Sequence, residues 1–170
     1  MMTERRTITG LQLREDGRTL TGLVVPYGTD TRIGHYLERF APGAFADTDP
    51  TSVPLLAAHD HADLPIGRTV DLVEEARGLI GTFVVADSER GRDVLALARD
   101  GVPLGLSVGF IPDQDKWNAD RTKVVRVRAQ LAEISVVGVP AYADARVEAV
   151  RSLDTQRLTR PLLALARRPR

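Results

Sequence analysis

Residues 78–86 read GLIGTFVVA, the clearest strand in the sequence, because the segment is short, apolar and rich in β-branched and aromatic side chains. A second segment of this kind, AQLAEISVVGV, covers residues 129–139. Other segments of strand length are found at residues 6–13, 19–26, 35–40, 52–58, 65–70, 104–111 and 123–127. The pattern predicts a mainly β protein, with a polar loop at residues 113–122.

One helix stands out among the strands. Asp87 or Ser88 can accept hydrogen bonds from the free N–H groups of a first helical turn, and Gly101 stands where helices commonly end. The apolar face between them consists of Val94, Leu95, Leu97 and Ala98. Residues 140–149 are compatible with a second helix. Many short strands and few helices indicate an α+β, mainly β architecture, a barrel or a sandwich with helices outside it.

Length and composition limit the class of protein. The chain has 170 residues, 43% of them hydrophobic, which suffices for one domain with a core and little more. We place this domain at about residues 5–150, followed by a basic C-terminal tail or helix at residues 151–170. Basic and acidic residues number 23 each, so the chain lacks the basic excess that is typical of nucleic-acid binders.

The sequence also argues against export and membrane insertion. No apolar run approaches the roughly 18 residues that a membrane helix needs. The first ten residues carry charges and threonines where a signal peptide would need an apolar segment. Cysteine is absent, which excludes disulfides, zinc–thiolate sites and cysteine nucleophiles. We therefore expect a soluble protein that is not exported, and a reducing compartment fits it.

Ser107 is the first candidate for chemistry, because residues 105–109 read GLSVG, a literal G-x-S-x-G. In α/β-hydrolases this pattern forms a strand, a turn and a helix, with serine at the tip. Here residues 110–112 continue a strand and then break it, and every histidine precedes the serine, so an α/β-hydrolase is rejected. On the pattern alone, a buried strand serine between close-packed glycines is the commoner explanation.

Two further candidates follow a short apolar strand, in the sequence His59-Asp60-His61. A metal site would need His35 or carboxylates as additional ligands, and the spacing matches no established metal motif. The plainest alternative is a polar turn after a buried strand. The catalytic alternative makes one of the two histidines a general base for a hydroxyl.

Glu133 is the third candidate, because it lies in a strand whose other residues are mostly apolar. A carboxylate buried there without partners would be costly. Period-2 alternation could instead turn Glu133 and Ser135 towards solvent. The functional alternative is a buried acid that holds a histidine in one tautomer.

Several segments, taken in order, resemble the prohead protease family of tailed bacteriophages, which is distantly related to the herpesvirus assembly proteases. They are ERFAPGAF at 38–45, LLAAHD at 55–60, PIGR at 65–68, GL at 78–79, RDG at 99–101, LGLSVGF at 104–110, LAEISVV at 131–137 and PA at 140–141. Each segment alone is a weak signal. The ordered set is quite specific, and it spans about residues 8–145.

The resemblance implies a fold and a site. The fold would be a closed β-barrel like that of the herpesvirus proteases, with a few surrounding helices. The family's nucleophile lies in an S-x-G-F segment and corresponds to Ser107, and its histidine follows LL-x-x-H and corresponds to His59. The third member of the triad lies on a strand well downstream of the serine, and Glu133 occupies the comparable place. No cofactor or metal is implied.

The resemblance also implies a function, a capsid maturation serine endopeptidase. Its substrates would be scaffold or the scaffold-like extension of the major capsid protein, together with the enzyme itself. It would act in the host cytoplasm, inside the immature capsid or prohead. The capsid protein and the scaffold segment are then its partners, a homodimer is compatible with the relatives, and neither nucleic acid nor membrane is expected. The turn at residues 138–141 is a candidate for the oxyanion hole.

Two other classes of function remain open on the sequence. One is a catalytically silent capsid-assembly or scaffolding factor with the same fold, although all three candidate residues are present. The other is an unrelated small-ligand-binding β-barrel. An apolar pocket far from Ser107 would favour the second alternative, and Ser107 within hydrogen-bond reach of His59 would count against it.

Overall fold

A computed structural model describes residues 11–138 of the chain. The strands are β1 (Gln12–Leu13), β2 (Thr19–Pro26), β3 (Thr31–Ile33), β4 (Tyr36–Phe40), β5 (Pro54–Ala57), β6 (Gly67–Glu75), β7 (Gly78–Val85), β8 (Gly105–Trp117) and β9 (Lys123–Val137). A short 3-10 helix covers Pro50–Ser52, and helix α1 covers Glu89–Arg99. The predicted mainly β content is therefore confirmed.

All nine strands belong to one mixed sheet. The order is β1-β2-β7-β6-β5-β9-β4-β3, and β8 pairs with β9 outside this path. Strand β9 runs parallel to both β4 and β5 and antiparallel to β8. Because β9 pairs with β5, β4 and β8, it joins the five strands from β1 to β5 in this order to β4, β3 and β8.

The sheet is a strongly curled half-barrel, so the expectation of a closed barrel was wrong. Closure requires the two outermost strands of a sheet to pair with each other. Here the strand order ends at β1, with two residues, and at β3, with three, and the two do not pair. A list of strand-like segments predicts how many strands exist, but it contains no information on whether the outer edges meet.

The core is formed by side chains from most of the strands and from helix α1. Its largest fully buried apolar side chains are Leu20, Phe40, Leu55, Ile66, Leu79, Phe83 and Ile134. Burying a side chain of this size contributes about 1.5–3 kcal/mol. Two of the quoted sequence segments meet here, because the ring of Phe40 lies 5.2 Å from that of Phe45 and 5.0 Å from that of Phe110.

Helix α1 forms where the sequence predicts it. The Ser88 hydroxyl accepts a hydrogen bond from the Gly91 N–H at 3.1 Å, and Gly101 follows the helix with a φ of +72°, in the left-handed region. Val94 and Leu95 are buried against the core, while Leu97 is exposed. Within residues 11–138, no helix has the length and apolar character needed to cross a membrane.

Strands β8 and β9 are longer than predicted. Residues 113–117, expected in a polar loop, continue β8, and the segments at 123–127 and 129–139 merge into one strand up to Val137. Cross-strand pairing overrides the polar composition, because Asp115 lies opposite Arg126 and contacts it at 2.6 Å. The predicted second helix at 140–149 and the tail at 151–170 lie outside the described residues, as do the ends of the proposed domain.

Candidate active site

The register of β8 and β9 brings serines and a carboxylate to one face of the sheet. Ser107 lies opposite Ser135, and Gly109 lies opposite Glu133. Side chains two residues apart on a strand point the same way, so these four positions share a face. Ser107, Glu133 and Ser135 are buried, with 4%, 2% and 0% of their surface exposed. The alternative in which Glu133 and Ser135 face solvent is therefore wrong.

A tight turn after β5 delivers His59 to the same place. Strand β5 runs parallel to β9, with Ala57 beside Val136, and a hydrogen bond of 3.0 Å from the Asp60 N–H to the Ala57 carbonyl closes the turn. Both central residues have positive φ, 53° at Ala58 and 59° at His59. These are the φ signs of a type I′ turn, which usually selects glycine or asparagine. The backbone here is therefore strained, and it needs support.

The Glu133 carboxylate binds His59 directly. Its Oε1 lies 2.6 Å from His59 Nδ1, and its Oε2 accepts a hydrogen bond of 2.7 Å from the Ser135 hydroxyl. The same hydroxyl accepts a hydrogen bond of 3.1 Å from the His59 backbone N–H. Both carboxylate oxygens thus have hydrogen-bond partners, which offset the free-energy cost of burying a charge in an apolar strand.

The histidine itself faces outward. Its side chain is 39% exposed, while the carboxylate behind it is 2% exposed. A buried acid that binds Nδ1 leaves the other ring nitrogen, Nε2, available for a second partner. This is the arrangement that holds an imidazole in one tautomer and one orientation.

Gly109 makes room for the carboxylate. A Cβ at this position would lie 2.6 Å from Glu133 Oε1 and 3.0 Å from its Cγ. Any larger residue would displace the oxygen that binds His59. The second glycine of the GLSVG stretch therefore does permit close packing, as the simpler explanation of the pattern expected, and what packs against it is the candidate acid.

Ser107 is next to this network without being bonded to it. The hydrogen bonds among residues 11–138 include none between the Ser107 hydroxyl and His59. Nucleophile–base hydrogen bonds are often long in unliganded enzymes and shorten in the complex with substrate. Of the two facing serines, Ser135 is fully enclosed and its hydroxyl proton is held by Glu133, so Ser107 is the better placed of the two to attack a substrate.

The other histidines do not join the site. His61 is exposed beyond the turn, and the ring of His35 packs edge-on against Tyr36 at 5.4 Å. Across the described part of the chain, no three His, Asp or Glu side chains are grouped as possible metal ligands. The structure thus separates His59 from His61, which the sequence pattern could not do without the resemblance.

Three supporting residues escaped the sequence reasoning as parts of the site. Ser135 and Gly109 contact the carboxylate, and Arg90 on α1 binds Asp60 at 3.2 Å and Asp63 at 2.8 Å, which ties the histidine loop to the helix. Strand alternation could have placed Ser135 on the face of Glu133. No sequence signal pairs Arg90 with this loop, because the two segments meet only in the folded chain.

A cavity elsewhere on the molecule bears on the ligand-binding alternative. It measures about 310 Å³ and lies beside the middle of β9. Its lining is mainly polar and charged: Asp47, Thr48, Asp49, Ser52, Asp113, Arg128, Ala129, Gln130 and Leu131. Small-molecule pockets are mostly apolar, so this cavity does not favour a small-ligand-binding barrel.

Comparisons with known proteins agree with the resemblance. The model of the caudovirus prohead serine protease family matches residues 5–158. Among solved structures, the capsid assembly protease of bacteriophage T4 is similar, with a TM-score of 0.52 and 11% identity over 70% of this chain and 80% of that one. At this identity the likeness is one of fold. No curated protein matches the chain by sequence.

The family match covers most of the chain, including all of the described residues, and it confirms the family that the ordered segments predicted. The more distant relation to the herpesvirus assembly proteases stays a prediction. A serine peptidase and a role in capsid maturation follow at the level of the family. This chain belongs to the caudovirus prohead serine protease family.

Proposed function

We propose that the chain is a serine endopeptidase with Ser107 as nucleophile, His59 as general base and Glu133 as the acid that orients the base. The observation that carries the proposal is the 2.6 Å contact between His59 Nδ1 and the buried Glu133, on the sheet face that Ser107 shares. In a family of serine proteases, this is the arrangement that a Ser-His-acid triad requires.

The reaction would proceed through an acyl-enzyme. Ser107 Oγ attacks the scissile carbonyl carbon while His59 Nε2 takes its proton, and the same proton then goes to the leaving amine. Glu133 accepts the Nδ1–H bond throughout and stabilises the imidazolium that forms. Water, activated by His59 in turn, releases the acyl group and restores Ser107.

An oxyanion hole would supply the remaining stabilisation. Backbone N–H groups near Ser107 would bind the developing negative charge, and the loss of one such donor typically costs about 10²–10³ in rate. The turn at residues 138–141, suggested by the sequence, lies beyond the described residues except for Gly138. That assignment therefore stays a prediction.

We propose as substrates the scaffold, or the scaffold-like extension of the major capsid protein, and the protease itself. Capsid maturation as a family role and the fold of a phage capsid assembly protease support this proposal. Cleavage would take place inside the prohead in the host cytoplasm. Homodimer formation remains part of the proposal, while no cofactor, nucleic acid or membrane takes part in it.

The decisive experiment is co-expression of the chain with its neighbouring capsid subunit, followed by mass spectrometry of the products. We expect shortened capsid protein with the wild-type chain and full-length capsid protein with Ser107→Ala or His59→Ala. His61→Ala is the matched control, since its side chain is exposed and lies outside the proposed triad. It should cleave like the wild type.

The outcomes separate the alternatives. Full-length products from every variant, with shells assembled, would favour a catalytically silent assembly factor. Equal cleavage by wild type and Ser107→Ala would exclude Ser107 as the nucleophile. Loss of cleavage in His61→Ala but not in His59→Ala would show that the general base is His61 and not His59.

A further inference from the structure

Ser135 binds both halves of the His59–Glu133 pair through one oxygen. Its hydroxyl donates to Glu133 Oε2 at 2.7 Å and accepts from the His59 backbone N–H at 3.1 Å. The residue is fully buried. We propose that Ser135 is a positioning residue, which sets the distance and angle between the imidazole and the carboxylate. The inference rests on the proposed function of His59 and Glu133.

The Ser135 hydroxyl supports the backbone of His59. In the turn after β5, the closing hydrogen bond uses the N–H of Asp60, and the N–H of Ala58 binds the Val136 carbonyl at 2.9 Å. The N–H of His59 is left for the Ser135 hydroxyl. Since Ala58 and His59 both have positive φ, this bond holds a backbone that the residues do not favour by themselves.

The same hydroxyl also orients the Glu133 carboxylate. Glu133 has two carboxylate oxygens and a side-chain partner on each, His59 on Oε1 and Ser135 on Oε2. Because the hydroxyl already accepts a hydrogen bond from His59, its single proton is directed to Glu133. The rotation of the carboxylate is therefore coupled to the position of the histidine backbone.

The enclosed position of Ser135 limits the size of the residue that fits there. Ser135 lies directly opposite Ser107 and beside Leu56 of β5, in an enclosed position between two strands. Alanine would keep the packing and remove both hydrogen bonds. Cysteine is close in size but is a weak donor and acceptor, and threonine restores the hydroxyl with one additional methyl group.

The effect should appear in the chemical step. We expect Ser135→Ala to lower kcat about 10–100-fold while KM changes less than about 2-fold, because misplacement of a catalytic group by about 1 Å can cost 10²-fold in rate. Ser135→Thr should recover most of the lost kcat. A residue that only stabilised the fold would instead lower the melting temperature and leave the kcat of the folded fraction unchanged.

Thr69→Val provides the matched control. Thr69 is also a buried hydroxyl residue, and its Oγ1 donates to the Val53 carbonyl at 2.7 Å, in a part of the sheet outside the proposed site. This variant should lose stability without losing kcat. Rates are measured on purified capsid subunit, and melting temperatures on the same preparations.

A spectroscopic measurement makes the test independent of cleavage. In full-length protein labelled with ¹⁵N-histidine, the proton on His59 Nδ1 should give a downfield resonance, assigned by its loss in His59→Ala. It should persist in Ser107→Ala and Ser135→Thr, and weaken or disappear in Ser135→Ala. If Ser135→Ala does not fold, Ser135→Cys takes its place with the same expected direction.

The failures are distinguishable. Wild-type kcat and an unchanged resonance in Ser135→Ala, together with inactive Ser107→Ala, would overturn the role of Ser135 and leave the proposed function standing. Cleavage by Ser107→Ala would overturn the proposed function, and the resonance would still show whether Ser135 holds the pair. Loss of kcat in Thr69→Val equal to that in Ser135→Ala would also overturn the specific role.

Discussion

The two ends of β9 each contain a buried carboxylate network, and the networks differ in their partners. Near its start, Arg126 Nε binds Glu38 at 2.7 Å, and its Nη1 binds Asp115 at 2.6 Å. Near its end, Glu133 binds the ring of His59 at 2.6 Å. Glu38 and Glu133 are almost equally buried, at 4% and 2% exposed. The same residue type therefore meets a cation at one end and an imidazole at the other.

The partner decides what each carboxylate can do. Burial disfavours the charge on Arg126, but Glu38 and Asp115 more than offset this and raise the pKa of the guanidinium above its ordinary value. No proton can move in such a pair at physiological pH. An imidazole takes up and releases a proton near neutral pH, so only the second network can take part in acid–base chemistry.

The largest effect is expected from Glu133→Gln. The Ser135 hydroxyl accepts a hydrogen bond from the His59 N–H, so its own proton is donated to the side chain at position 133. The amide oxygen of the introduced Gln would therefore face Ser135, and its NH₂ group would face His59 Nδ1. This would place the ring proton on Nε2, the wrong nitrogen for a base acting on Ser107. We expect about a 10⁴-fold loss of cleavage rate in a folded protein. A loss below 10-fold would contradict the role given to Glu133.

The next effect is on stability, at the other end of β9. Arg126→Met would leave Glu38 buried without a cation, at an expected cost of about 3–5 kcal/mol in the free energy of unfolding. Glu38→Leu combined with Arg126→Met should recover much of this loss. Denaturant unfolding measures both, and the cleavage rate of the folded fraction should not change. A rate loss in the double variant would show that the two networks are coupled.

Gly109→Ala tests the space behind the histidine. The added Cβ would lie 2.6 Å from Glu133 Oε1, so the carboxylate must move away from His59. We expect the cleavage rate to fall about 10–100-fold. Steady-state cleavage of the capsid subunit measures the rate, and circular dichroism checks the fold. An unchanged rate would mean that the carboxylate can shift without disturbing the base.

The smallest effect concerns the strained turn. Ala58→Gly should stabilise the protein by up to about 1 kcal/mol, because a left-handed alanine costs about 1–2 kcal/mol and glycine loses part of this gain through the unfolded chain. Ala57→Gly is the matched control in β5, where glycine should destabilise by about 0.5–1 kcal/mol. Unfolding midpoints that move the same way in both variants would contradict the strain.

The strand pattern and the ordered segments predicted much of this molecule. Most strand segments and helix α1 follow from local periodicity and capping chemistry, which depend on neighbours in the chain, and Ser88 is one of the two cap residues that the sequence left open. The resemblance also selected Ser107, His59 and Glu133, and the structure brings His59 into contact with Glu133, on the sheet face that Ser107 shares. Alternation along β8 and β9 explains this common face, because side chains two residues apart point the same way.

The sequence by itself thus predicted most of the strands, the helix and, through the family resemblance, the candidate triad residues. Only the tertiary structure decided that the sheet stays open, that β8 extends to Trp117, and that Ser135 and Gly109 support Glu133. Each of these depends on pairing between segments distant in the chain, such as Ser135 with the turn 76 residues before it. Local sequence patterns do not indicate which distant strands pair, so only the tertiary structure gives the register of β9 with β5 and β8.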